Sequence, residues 1–199
     1  MSLSVRLVFS QDLDQQLVTA AHNKDSNNVM DLLRKGADIN AQDKDGNSAL
    51  MWLANQGNVE AVNIFLEKGA NLEAKNKNGH TALMTATVRN HPRVVALLLK
   101  NGADVNARDR NGSTALMLSS LLGFKETVEI LLNNGADVNV CDKVKGFTAL
   151  IVATAKDNTE IVSILLKNGA DKNIKAANGK TALNYAEQKG NNVIMNLLK

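Results

Sequence analysis

The 199-residue chain holds one proline, one cysteine and few aromatics, which make up 3% of it. Each shortage excludes something. A lone Cys141 cannot build an internal disulfide framework or a multi-cysteine metal site, and it suits a reducing, cytoplasmic setting. So few Tyr, Phe and Trp residues leave little for the strands of a β-sandwich or barrel. No apolar run approaches the roughly 18 residues of a transmembrane helix. The net charge of +3 is well short of a dedicated nucleic-acid binder's bias. With 22% charged and 44% hydrophobic residues the composition is that of a folding chain. Its thirteen glycines must supply the punctuation that proline does not.

Those glycines are periodic. Gly36, Gly69, Gly102, Gly135 and Gly169 form one series, and Gly46, Gly79, Gly112, Gly146 and Gly179 a second. Both advance by 33 residues except for one step of 34, and the extra residue falls at Val144-Lys145. A fixed period of this size marks stacked repeats. Within each unit, a tight turn such as Asn78-Gly79 or Asn111-Gly112 is followed two residues later by Ser48, Thr81, Thr114, Thr148 or Thr181. Those hydroxyls are helix N-caps, and they predict first helices over 49–56, 82–89, 115–122, 149–156 and 182–189. Gly57, Gly123 and Gly190 end three of them; Asn90 and Asp157 take the same left-handed position in the other two. Second helices carry one apolar stripe, as in Val62, Phe65 and Leu66 or Val128, Leu131 and Leu132, and Pro92 falls in a first turn. Helices of about eight residues do not persist alone in water, so each unit must bury its leucines against its neighbours.

This grammar resembles the ankyrin repeat over residues 11–199. The resemblance rests on Asp43-Lys-Asp-Gly46-x-Ser48-Ala-Leu50, its four successors, and the Leu-Leu-x-x-Gly-Ala-Asp-x-Asn ends. It implies an all-α solenoid of stacked helix-turn-helix units with β-hairpin-like fingers. Six units follow, 11–42, 43–75, 76–108, 109–141, 142–175 and 176–199, in a single domain after an extension of residues 1–10. The family's Thr-Pro-Leu-His box becomes Ser-Ala-Leu-Met in 48–51 and Thr-Ala-Leu-Met in 81–84 and 114–117. Polar residues in the terminal units, such as Gln15, Gln16, Asn191, Asn192 and Asn196, suit end caps. Residues 1–10 lack a basic start followed by a seven-residue apolar run, so a complete signal peptide is not expected.

No catalytic constellation emerges, and neither a metal nor a cofactor is expected. Gly179-Lys180-Thr181 ends like a phosphate-binding loop, but Ile174 stands where that loop needs glycine. His22, His80 and His91 occupy three different repeat positions, which reads as solvated surface rather than a convergent zinc site. Asp38, Asp104, Asp137 and Asp171 recur once per unit and read as turn aspartates bonding backbone. Cys141 has no neighbour placed to activate it.

Surface remains. The resemblance implies partner contacts on the exposed side of the first helices, forming a groove, and on the finger tips. By repeat position the groove offers Trp52, Val88, Arg89, Leu118, Leu121, Leu122, Val152, Lys156 and Tyr185. The finger tips carry Lys44, Lys75, Lys77, Arg108, Arg110, Lys143, Val144, Lys145, Phe147 and Lys175. The expected function is a non-catalytic, monomeric scaffold for another protein, one presenting an apolar segment flanked by acidic residues. The alternative is an electrostatic binder of nucleic acid or acidic lipid through the basic finger ridge. The resemblance also admits a substrate of an asparaginyl hydroxylase, with Asn106 and Asn139 in the matching context and Asn40 and Asn173 near it.

Overall fold

The computed structural model describes the backbone of residues 3–199, and side chains from residue 12 onward. The chain forms two compact units, Met1–Asp104 and Val105–Lys199. The first contains α1 (Leu3–His22), α2 (Ser26–Arg34), α3 (Ala49–Gln56), α4 (Val59–Glu67), α5 (Ala82–Val88) and α6 (Pro92–Lys100). The second contains α7 (Ala115–Leu122), α8 (Lys125–Asn133), α9 (Ala149–Ala155), α10 (Thr159–Lys167), α11 (Ala182–Lys189) and α12 (Asn192–Leu198). Within the first unit α1, α3 and α5 pack in series, and within the second α7, α9 and α11 do the same. The described residues hold no β-strand, only an isolated antiparallel bridge between Gln42 and Ser48.

Hydroxyl caps start the first helices where the sequence places them. Ser48 accepts from the Met51 N–H at 3.2 Å and Thr148 from the Ile151 N–H at 3.3 Å, with Thr81 and Thr114 alike. At Thr181 the bond is returned: the Asn184 side chain accepts from the Thr181 N–H at 3.0 Å. The helix ends separate into two kinds. Gly57, Gly123 and Gly190 are left-handed, and α3, α7 and α11 run eight residues. Asn90 and Asp157 are left-handed at φ 56° and 59°, and α5 and α9 run seven, each ending one residue before its predicted end. Gly57 is needed twice over. Besides its φ of 72°, a Cβ there would lie 2.6 Å from Nδ1 of His91.

The α1 helix begins at Leu3, eight residues ahead of the first repeat as read from the sequence. In the second helices the buried stripe sits one residue earlier than the leucine spacing suggests. Val62, Phe65, Val95, Leu98, Val128, Leu131, Val162 and Leu165 are fully buried, together with Val94, Thr127 and Ile161 on their N-terminal side. Leu66, Leu99, Leu132 and Leu166 are only half-buried. The last helix leaves Val193 61% and Leu197 39% exposed, so its polar residues do not cover that face.

Each finger is closed by a backbone bond, as from Asp43 N–H to Asn47 O at 2.9 Å, and side chains reinforce the turn. Asp43 accepts from the backbone N–H groups of Asp45 and Asn47, and Asn76 from those of Asn78 and His80. Neighbouring fingers are laced by backbone. In the first unit Lys77 N–H donates to Asp45 O at 2.8 Å; in the second, Lys143 N–H donates to Asn111 O and Ala177 N–H to Lys145 O, also at 2.8 Å. Both Lys143 and Lys145 thus hold regular positions, and Val144 between them is the supernumerary residue.

Candidate interaction site

The second unit's longer finger turns around one carboxylate. Oδ1 of Asp142 accepts from the N–H groups of Val144 (2.8 Å) and Lys145 (2.6 Å), and Oδ2 accepts from that of Phe147 (3.1 Å). This arrangement absorbs the extra residue without breaking the closing bond from Asp142 N–H to Phe147 O. It leaves Val144 63% exposed and holds Phe147 half-buried. Phe147 occupies the repeat position filled by Asn47, His80, Ser113 and Lys180 elsewhere.

Phe147 faces the first helices of its unit. Leu118 and Leu121 of α7, Val152 and Ala155 of α9, Lys156 just past α9, and Lys145 and Phe147 of the finger line an open hollow of about 360 Å³. Met117, Ser113 and Asp142 complete its wall. A second hollow of about 410 Å³ adjoins it, lined by Val144, Lys145, Phe147, Ala177, Asn178 and Tyr185. Phe147 and Tyr185 meet edge to face with ring centres 5.5 Å apart. Nζ of Lys145 stands 5.6 Å from the Phe147 ring centre and Nζ of Lys180 stands 6.0 Å from that of Tyr185. The Asn178 amide donates to the Tyr185 hydroxyl at 2.9 Å, which fixes the ring. No acidic side chain among the described residues lies within ion-pair distance of Lys145, Lys156 or Lys180.

The structure thus gathers Leu118, Leu121, Val152, Lys156, Lys145 and Phe147 at one hollow, and Val144 and Tyr185 at its neighbour. Leu122 is 44% exposed but lines neither. Three residues of the first unit belong to other surroundings. Val88 is half-buried and Arg89 exposed at the end of α5. Trp52 is held by its own unit: its indole stacks on His22 at 4.1 Å and donates to Oδ2 of Asp43 at 3.2 Å.

The finger cations also divide. Lys44, Lys75, Arg110, Lys143 and Lys175 are exposed. Lys77 pairs with Asp45 at 3.4 Å. Arg108 is half-buried and its Nη2 donates to the Cys141 carbonyl, so its guanidinium serves the turn and not a ridge. His22 is exposed, as the sequence suggests, with its ring stacked on Trp52, whereas His91 is half-buried and its Nε2 donates to Asn55 O at 2.9 Å. The turn aspartates do what their spacing implies, Asp38, Asp137 and Asp171 each accepting from the N–H two residues on. The asparagines Asn40, Asn106 and Asn139 accept from the N–H groups of Asn71, Asp137 and Asp171, at 2.8 Å in each case.

Sequence reasoning missed Lys180, Asn178 and Met117 as site residues. The signal for Lys180 and Asn178 was their repeat register, which sets them beside Tyr185 across the same turn. Met117 gave no signal, because it belongs to a box repeated with the same residue in two other units.

Short antiparallel helix pairs, hydroxyl caps, left-handed helix ends and turn fingers laced by backbone bonds define a helical repeat protein whose accessible chemistry is an open surface. The family model described as ankyrin repeats in three copies matches residues 17–109 and again 116–199. The chain belongs to the ankyrin-repeat family, whose members are generally protein–protein interaction modules and typically not enzymes. No individual curated protein matches the chain. No group of three or more metal-ligating side chains occurs among the described residues, and no described helix is long and apolar enough to cross a membrane.

Proposed function

We propose that this chain is a non-catalytic binding module that takes an apolar segment of a partner protein into the hollow between α7, α9 and the 142–147 finger. One observation carries the reading: Leu121, 39% exposed, and its neighbours Leu118, Val152 and Phe147 leave apolar walls that none of the described residues fills. Repeat packing does not require leucine at a solvent-facing position, since the buried stripe is complete without it. Among the described residues Lys145 and Lys156 have no acidic partner, so the segment carries carboxylates beside its apolar anchor.

The basic ridge reading is less supported, because Arg108 is turned inward and Lys77 is paired within the fingers. The test compares Leu121→Ser with Leu122→Ser in partner capture, melting temperature being read for both. Leu121→Ser should abolish capture while the fold holds, and Leu122→Ser should leave capture intact. Equal loss in both, or none in either, would remove the hollow from the function.

A further inference from the structure

We infer that the partner segment is two-pronged: it carries two apolar side chains, two positions apart in an extended stretch, that straddle Phe147 and enter the two adjoining hollows together, with acidic residues on the flanks. The inference rests on the function proposed above and specifies its ligand.

Phe147 and Lys145 are common to both linings, so these two finger side chains divide the hollows and the Phe147 ring is the apolar part of the wall. Side chains packed against opposite sides of a single ring are separated by about 7 Å, twice the usual carbon–carbon contact. An extended chain presents residues i and i+2 on one side at about 6.5–7 Å. The match is geometric and needs no movement of the finger. On the far side of the second hollow, Tyr185 offers a ring already anchored by Asn178, and the insertion supplies Val144 as an additional apolar wall. A single apolar anchor would leave one of the two hollows wet.

Charge settles the flanks. Lys156 stands at the outer rim of the first hollow, Lys145 over the dividing wall, and Lys180 beside the Tyr185 ring past the second. Asp142, the acidic residue in these linings, has both oxygens engaged by the finger's own N–H groups. The complementary segment is therefore acidic, small, apolar, small, apolar, small, acidic, which keeps the carboxylates on the same face of the extended chain as the two anchors.

Four blocked peptides titrated into the full chain, with methyl and aromatic NMR signals as the readout, test this. They are Glu-Ser-Leu-Ser-Leu-Ser-Glu, the single-leucine forms Glu-Ser-Leu-Ser-Ser-Ser-Glu and Glu-Ser-Ser-Ser-Leu-Ser-Glu, and the helix-spaced Glu-Ser-Leu-Ser-Ser-Ser-Leu-Ser-Glu. The first should bind on the order of tenfold tighter than either single-leucine form, as a second buried leucine requires. It should shift the Leu121 and Val152 methyls together with the Tyr185 ring. Tyr185→Ala should reduce its affinity to the single-leucine level while those two peptides keep theirs. Equal binding by a single-leucine peptide that still shifts Leu121 would overturn the two-pronged segment and leave the first hollow as the site. Tighter binding by the helix-spaced peptide would overturn the extended geometry. If no peptide shifts Leu121 or Val152, both the inference and the function it rests on fall.

Discussion

Trp52 and Leu118 occupy the same repeat position in the two compact units, and the units treat it in opposite ways. In the first, the side chain is consumed internally: Trp52 stacks on His22 and bonds Asp43, so the surface it makes is already satisfied. In the second, Leu118, Val152 and Tyr185 stand at that position beside a finger that has swung Phe147 over them, and hollows remain. The contrast teaches that repeat register says where an interaction surface can be, while the side chains of each unit decide whether it is closed or open. A tryptophan, the residue most often taken as a binding hot spot, is here spent on its own unit.

The comparison would break first in the core, where the two units should not differ. Leu98 and Leu131 are both fully buried at equivalent positions. Leu98→Ala and Leu131→Ala should each cost about 2–5 kcal/mol, read by denaturant unfolding. In a repeat protein such a lesion uncouples neighbours, so hydrogen exchange should rise most in the unit that carries it. Loss of protection spread evenly over all repeats would show that the two compact units are not energetically distinct.

Trp52→Ala set against Leu121→Ser sharpens the difference directly. Removing Trp52 deletes a stacked ring and the indole bond to Asp43 and should destabilise by about 1–3 kcal/mol. Leu121→Ser should change the melting temperature little, because surface substitutions away from the core stay within about 0.5 kcal/mol. The reverse ranking would place Leu121 in the core and Trp52 at the surface.

Acid should distinguish the units through Asp43. Burial pushes its carboxyl up, but bonds from the Asn47 backbone and side chain, the Asp45 N–H and the Trp52 indole outweigh it and hold the group below the ordinary carboxylate range. A lowered folded-state value means stability that is fully present above about pH 4 and lost as pH falls through the folded value. Acid unfolding followed by Trp52 fluorescence should therefore shift in Asp43→Asn, which retains shape but cannot titrate. An unchanged acid limb would show that these bonds do not favour the charged form.

Much of this was legible in the sequence. Five left-handed helix ends, including the non-glycine Asn90 and Asp157, and five helix starts were fixed by local chemistry, since a cap needs one hydroxyl and a reversal needs one tolerant residue. The site was only half legible. Register identified Leu118, Leu121, Val152 and Tyr185, but whether a surface side chain is free depends on what reaches it from other segments. His22 lies 30 residues before Trp52, and no local pattern joins them. Arg108 likewise read as a finger cation because nothing in its neighbours announces the Cys141 carbonyl 33 residues on. The insertion was assigned to Val144-Lys145 and resolved to Val144 only by the bond that Lys145 O accepts from Ala177.

Buried hydroxyls give a smaller test that the units share. Thr87 in the first unit and Thr154 in the second are fully buried at the same repeat position, and the Oγ1 of each has no hydrogen-bond partner. Replacing each by valine keeps the shape and removes a desolvated polar atom, so Thr87→Val and Thr154→Val should each stabilise by about 1 kcal/mol. A loss of stability in both would mean that the hydroxyls are bonded, for example through buried water.

A small effect on stability should also come from the insertion, and it tests the origin of the open hollow. Lys143 and Lys145 both keep the backbone bonds that lace the second unit's fingers, whereas the Val144 N–H serves only the internal turn at Asp142. Deleting Val144 therefore restores the turn length of the other fingers and removes no bond between fingers. The change in unfolding free energy should stay within about 1 kcal/mol, as for other tolerated loop-length changes. Deleting Lys145 instead leaves the same turn length with valine before Gly146, so the carbonyl that accepts from Ala177 is still supplied and only the cation is lost. The two products differ by one side chain, lysine or valine before Gly146, so the difference between them reads the Lys145 cation alone. With Val144 gone, the second hollow loses a wall and the acidic two-leucine peptide should weaken while the chain stays folded. If deleting Val144 lowers the melting temperature by several degrees, the extra residue is part of the finger's support and the open hollow is a by-product of the turn.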